Sequence, residues 1–318
     1  MKHIYFCACD KNGGIYHYTK NGNELTFLEK TPLDRPMYMI IRDDKAHIIL
    51  KETDSKTKFG GYLTFDIDEN GKLTNPSEII STNGVVPCHL EVDSNTAYTV
   101  NYVSGSISKT GEKTVTHEGS SIHPTRQTSA HTHYTALTPD KKYLFCVDLG
   151  QDSIFVYDKD LNEISRAKVP DGYGARHLIS SADGKYVYCV NELISSVSVF
   201  EYLNGKLTYL DTYDALPDFK EQNTAAAIRI DGKYLYISNR GADTITRFEI
   251  CGDKLKLLEN TPCGGIGPRD FDITYGKIYC TNEQSNDVTV LALKDGKPVL
   301  TDEKYKMGNP LCVTFLDK

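Results

Sequence analysis

The chain has 318 residues, with 36 Lys and Arg against 43 Asp and Glu, and its formal charge of −7 is the wrong sign for a protein that binds by neutralising phosphate backbones, so nucleic acid is not an expected partner. A hydrophobic share of 39%, a charged share of 25% and only 24 Gly and 12 Pro exclude a disordered chain and suit a soluble globular core. No stretch approaches the roughly 18 consecutive apolar residues of a membrane helix, and nine Cys without a C-x-x-C pair read as reduced core residues of a cytoplasmic protein.

In chain order, the first element is a strand from His3 to Cys9, whose apolar run is too short for a secretory leader. Weak copies of a repeat begin at Asp43-Asp44-Lys45 and Asp93-Ser94-Asn95. Clear copies follow at Asp140-Lys141-Lys142-Tyr143, Asp183-Gly184-Lys185-Tyr186, Asp231-Gly232-Lys233-Tyr234 and Gly276-Lys277-Ile278-Tyr279. A polar residue closes the first strand of each copy at Asn101, Asp148, Asn191, Asn239 and Asn282, with spacings of 47, 43, 48 and 43 residues. Inside a copy, runs such as Ser153-Ile154-Phe155-Val156-Tyr157 alternate with period two between Asp-Gly and Asn-Gly turns, which predicts antiparallel strands and almost no helix.

Four strands per 40 to 50 residues is the blade of a β-propeller, and the full and partial copies come to seven. The expected fold is therefore all-β: one seven-bladed propeller domain over residues 1–318, with four-stranded antiparallel blades. The leftover C-terminal strand Leu311 to Leu316 completes the blade that His3 to Cys9 begins, which closes the ring and removes an exposed edge.

Antiparallel pairing puts the start of each innermost strand and the end of the second strand on one face, at the mouth of the central channel. Reading those positions collects His89, Asn101, His133, Asp148, Arg176, Glu192, Asn239, Arg240, Arg269, Asn282 and Glu283. Convergent Arg select planar anions such as carboxylate or phosphate. The small run Thr224-Ala225-Ala226-Ala227 predicts free volume across that mouth, and the long connections Glu118 to Thr132 and Asp214 to Asn223 land on the same face. His131 and His133 form a possible metal pair, but no third ligand stands at suitable spacing and no cofactor is expected. Gly172-x-Gly174 and Gly264-Gly265-x-Gly267 open no helix, so they read as turns rather than phosphate loops.

The motifs Asn101-Tyr102-Val103-Ser104-Gly105, Arg126-Gln127 with His131-Thr132-His133, Gly174-Ala175-Arg176-His177, Val190-Asn191-Glu192-Leu193, Asn239-Arg240-Gly241 and Gly267-Pro268-Arg269-Asp270-Phe271 resemble the seven-bladed lactonase family. That family includes propeller-type 6-phosphogluconolactonases and, more distantly, carboxymuconate-lactonising enzymes. The resemblance implies a catalytic set of His133, Arg176, Glu192 and Arg240, with Arg269 matching the family's Pro-Arg; His131 and the mouth positions Asn101, Asn239, Asn282, Glu283 and His89 join Arg269 as substrate-binding candidates. It implies hydrolysis of a sugar lactone, 6-phosphogluconolactone or a related aldonolactone, with a small anionic sugar lactone or sugar acid as partner; since a sealed ring needs no partner to bury its core, a monomer or weak homodimer is expected. In that reading His133 or Glu192 is the base, Arg176 steadies the oxyanion, and Arg240 with Arg269 holds a substrate anion. A lactonising or isomerising enzyme and a non-enzymatic binding propeller are the alternatives.

Overall fold

The structure, a computed structural model, describes residues 2–22 and 24–317; Met1, Asn23 and Lys318 of the expected domain lie outside the described residues. Period-two alternation becomes seven antiparallel sheets, each built from consecutive strands of one repeat. The exception is the first blade, whose innermost strand is the C-terminal Pro310–Asp317, paired antiparallel with Lys2–Ala8. Closure occurs where the leftover strand predicts it. Successive innermost strands then touch around the full circle: Pro36–Arg42, Pro87–Asp93, Thr132–Leu137, Ala175–Ser180, Thr224–Asp231, Pro268–Thr274 and Pro310–Asp317.

The second blade departs from the repeat. Its fourth strand is split into Leu73–Thr74 and Ile80–Val85, both paired with Phe59–Ile67. The one helical element among the described residues is a 3-10 turn, Leu149–Gln151.

The core is seven slabs, one between each pair of neighbouring blades. Phe145, Val147 and Val156 of the fourth blade pack against Leu178, Val187 and Phe200 of the fifth, and Ile4 and Phe6 meet Tyr279 and Val290 across the seam between first and last. Part of the abundance of Tyr has a structural role here. Tyr5, Tyr98 and Tyr236 are buried in their blades while their hydroxyls donate to the carbonyls of Gly71, Lys159 and Gly296 in a turn of the next blade. At these three positions a phenol spans the slab and still satisfies its polar end. Eight cysteines are buried as expected; Cys251, which ends a surface hairpin strand, is exposed and departs from that expectation.

Candidate active site

Two local devices repeated in the blades build the channel mouth. The first is a β-bulge at the start of each innermost strand. Pro36 pairs with Leu50 but Tyr38 with Ile49, so Met37 is extra, and the same shift singles out Cys88, His133, Arg176, Arg269 and Leu311. In the sixth blade it falls within Ala225 to Ile228. A bulged residue has no partner on the neighbouring strand and is re-aimed; here the bulged side chains line the upper channel.

The second device is an asparagine clamp. The buried side-chain amide of Asn191 donates to the hydroxyls of Ser196 and Ser198 at 2.9 Å each. Asn101 does the same with Ser106 and Ser108, Asn239 with Thr244 and Thr246, and Asn282 with Asp287 and Thr289. Each clamp locks the hairpin between second and third strands, so the residue after it projects at the mouth: Tyr102, Glu192, Arg240 and Glu283. Asn101, Asn239 and Asn282 are wholly buried, with their side-chain N–H groups engaged in these clamps and, for Asn101, also on the Thr82 carbonyl of the second blade. The structure thus gives these three substrate-binding candidates a framework position instead.

Glu192 is the centre of the mouth. Its Oε1 accepts from Arg126 Nη2 at 2.5 Å, and its Oε2 lies 2.8 Å from Arg176 Nε and 3.0 Å from Arg240 Nη2. Burial alone would favour the neutral acid, but the Arg240, Arg176 and Arg126 guanidiniums outweigh it and hold the carboxyl well below the usual carboxylate range. Arg176 is itself fully enclosed, with Nη1 donating to the Ala226 carbonyl at 2.7 Å, and burial pushes its guanidinium down to about 9. Arg240 Nη2 also donates to the Ala225 carbonyl at 3.0 Å. The run of alanines therefore makes room for two guanidiniums, beside the cavity of the mouth.

Beside this cluster a cavity of about 180 Å³ is lined by Tyr102, Arg126, His133, Glu192, Arg240, Arg269, Cys88 and Met37. Arg269 is held by Glu283 at 3.0 Å and stays about a quarter exposed. Four guanidiniums against Glu192 and Glu283 leave an excess of two positive charges in a chain that is acidic overall. His133 borders the same space. Burial, reinforced by Arg176, lowers its pKa well below the usual histidine range, so the imidazole is neutral at pH 7, and its Nδ1 is buried without a hydrogen-bond partner.

The structure thus brings together His133, Glu192, Arg240, Arg269 and Glu283, with Arg176 directly behind Glu192. His131 stands one shell back, stacked on Tyr102 at 4.5 Å with its Nδ1 at 2.9 Å from the Tyr102 carbonyl. His89 is a correction: the bulge advances the register by one residue, so Cys88 takes the mouth position and His89 points down the channel between Tyr38 and Tyr134. Asp148 is also framework, accepting from the backbone N–H groups of His131 and Gly150. Arg126 is the site residue that position counting missed. It belongs to the long connection after Thr116, which folds inward far enough for this guanidinium to reach Glu192 and the Tyr102 hydroxyl, 3.2 Å away. The other long connection, around Leu216 to Asn223, encloses a cavity of about 330 Å³ with Leu193 and Ile194 and contributes nothing to the Glu192 pocket. The glycine pairs are turns, as expected: Gly172 and Gly174 N–H donate to Asp152, and Gly267 N–H to Asp243.

A family model described as "Lactonase, 7-bladed beta-propeller" matches residues 3–315. A curated relative from Staphylococcus aureus, described as uncharacterised, is 32% identical over 96% of this chain and 97% of its own. Among solved structures, a protein from Lactobacillus plantarum superposes with a TM-score of 0.90 at 30% identity over the full length of both chains. A candidate 6-phosphogluconolactonase from Bacteroides fragilis gives 0.90 at 26% identity, over 99% of this chain and 98% of that one.

Proposed function

This chain belongs to the seven-bladed β-propeller lactonase family, and from that premise we propose that it hydrolyses an anionic sugar lactone, 6-phosphogluconolactone or a closely related aldonolactone, in the Glu192 pocket. One observation carries the reading: three guanidiniums, the Glu192 carboxylate and a neutral, buried imidazole line a single concave space, with Arg176 and Glu283 pairing behind them.

Lactone hydrolysis adds water to the ring carbonyl, breaks the acyl carbon to ring oxygen bond, returns a proton to that oxygen and leaves a carboxylate with release of one proton. A neutral His133 is in the protonation state a general base requires. Glu192 is not: a carboxylate shared by three guanidiniums has little tendency to take a proton, so its role is to hold Arg126, Arg176 and Arg240 in place. On this reading His133 is the base and Glu192 the organiser of the arginines. Arg240 and Arg269 border the cavity, and their charge opposes the oxyanion that develops on the carbonyl. Arg126 and the remaining positive charge meet a phosphate or carboxylate on the substrate. Arg176, with neither guanidinium face on the cavity, acts through Glu192.

The test is proton release with a panel of phosphorylated and unphosphorylated aldonolactones, corrected for their spontaneous hydrolysis. Acceleration with a phosphorylated or carboxylated lactone, lost on His133→Ala, is expected. No acceleration over buffer with any of them overturns the reading. A hydrolase working through a Glu192 base would instead show an acid limb that disappears in Glu192→Gln while His133→Ala stays active.

A further inference from the structure

The innermost strands carry a second set of polar residues at their other ends, where a cavity of about 300 Å³ opens on the face opposite the Glu192 pocket. Between the two, the channel narrows to about 10 Å³, walled by Tyr38, His133, His177 and Asp270 among others, which is room for no more than one water. The lower cavity is therefore a separate compartment, and nothing in lactone hydrolysis uses it.

Its charge is the reverse of the upper mouth. Arg229 is spent within the wall: Nη2 on Asp270 at 2.8 Å, Nε on Asp272 at 3.3 Å, and Nη1 on the Ile228 carbonyl at 2.9 Å. Arg42 pairs with Glu91 at 3.4 Å. Two guanidiniums among three carboxylates leave one net negative charge. Asp272 keeps about a third of its side chain exposed, while His89, 5% exposed, lines the cavity with its Nδ1 buried and without a hydrogen-bond partner. Burying the His89 Nδ1 without a partner costs free energy that a bound ligand would return. The rings of Tyr38 and Tyr134 flank His89 at 4.4 and 4.0 Å, and Ile40, Ile179 and Phe315 supply apolar wall.

We propose that this lower cavity binds a small organic ammonium ion, paired with the Asp272 carboxylate, donating an N–H to His89 Nδ1 and laying its carbon chain against Tyr38, Tyr134 and Ile179. An anion is opposed by the net charge and finds both guanidiniums already engaged. A hard metal cation wants six or more oxygen ligands, and no group of three metal-ligating side chains is placed to hold one among the described residues. At about 30 Å³ per non-hydrogen atom the space holds about ten such atoms, the size of a simple amine or an amino acid.

Isothermal titration calorimetry on the full chain tests this with propylammonium, tetramethylammonium, glycine, potassium and propionate, each as a salt with an inert counterion. Propylammonium is expected to bind at millimolar concentration or tighter, at one site per chain. Asp272→Asn should weaken it by at least about tenfold, the usual consequence of removing one partner of a partly buried charge pair. Ile40→Trp, which fills the cavity while leaving the charges, should abolish binding and serves if Asp272→Asn fails to fold. Binding of glycine at comparable strength assigns the site to amino acids, and its absence to simple amines. No heat from any ammonium probe overturns the proposal, as does equal affinity in wild type and both variants, or potassium or propionate binding as tightly as propylammonium. Arg126→Ala, in the other compartment, should leave the titration unchanged, so this result and the lactonase result stand or fall separately.

Discussion

Arg176 Nε donates to Glu192 Oε2 at 2.8 Å, and neither side chain is more than 3% exposed. Such a pair is worth little by itself, because both charges lose their water, but cutting one partner strands the other. Glu192→Gln leaves Arg126, Arg176 and Arg240 facing one another without a counter-charge. The variant is expected to lose about 3 kcal/mol or more of unfolding free energy and on the order of 10² in kcat/KM as the guanidiniums move off the cavity. Urea unfolding and steady-state kinetics on the same preparation check both. A stable, active Glu192→Gln protein would remove Glu192 from the organising role given to it here.

Acid should destabilise this protein well above the ordinary carboxylate range. Burial first, and then the nearby arginines, lower His89, His133 and His177 far below their ordinary value of 6.5. Below that pH the unfolded chain binds protons that the fold refuses at these three and at His17, which burial lowers to about 4, and His47, so unfolding takes up protons and stability falls as pH drops. The three channel histidines alone correspond to a slope of about 4 kcal/mol per pH unit. Glu192, whose folded carboxyl is held below the usual range, adds to the loss once the pH passes beneath its ordinary value of 4.5. Urea midpoints between pH 7 and 5 give the slope, and His177→Phe should reduce it by one proton. A stability independent of pH over that interval contradicts the neutral, enclosed imidazoles.

The repeat made the ring legible, because a two-residue period and a turn every dozen residues are local properties of the chain. The site was legible only to within one residue. Position counting reached Arg176, Arg269 and His133, which fall on the bulge, and it reached His89, which does not, since a bulge is a property of pairing and leaves no mark in alternation. Arg126 escaped for a different reason: it sits in a connection of irregular backbone, where no periodicity assigns direction. Its signal was the Arg126-Gln127 pair. Gln127 is wholly buried and donates to the Leu149 carbonyl and Asp152, which anchors the loop and aims its neighbour. A buried polar residue in the middle of a long surface loop is the kind of feature that a search restricted to strand ends passes over.

The asparagine clamp makes a separate prediction. Asn282→Ala removes an amide that donates to Asp287 at 3.1 Å and to Thr289 at 3.0 Å, leaving both acceptors in a fully enclosed hairpin. The cost should be about 1 to 3 kcal/mol, read as a lower melting temperature. KM should stay within a fewfold of wild type, because the amide does not reach the cavity. A large rise in KM at unchanged stability would return Asn282 to the list of substrate contacts.

Arg126 offers the sharpest test of the pocket. It is the one guanidinium on Glu192 that comes from a connection, and its side chain is 36% exposed against 2% for Arg176 and 14% for Arg240. Removing it should leave the ring intact, since two guanidiniums still hold Glu192 and the connection keeps its Gln127 anchor. The exposure places Arg126 where an incoming anion arrives first, with the Tyr102 hydroxyl 3.2 Å away to share the load. Arg126→Ala is therefore expected to unfold within about 1 kcal/mol of wild type, because Arg176 and Arg240 still neutralise Glu192 and the lost side chain is itself partly exposed. Its kcat/KM toward a phosphorylated lactone should fall by about 10 to 100-fold, equivalent to one charge-assisted hydrogen bond, and mainly through KM. Toward an uncharged lactone of the same ring the loss should be within a fewfold. Equal losses on both substrates would mean that Arg126 acts on the reacting carbonyl, and the anion-binding role would then pass to Arg269, the other partly exposed guanidinium on the cavity.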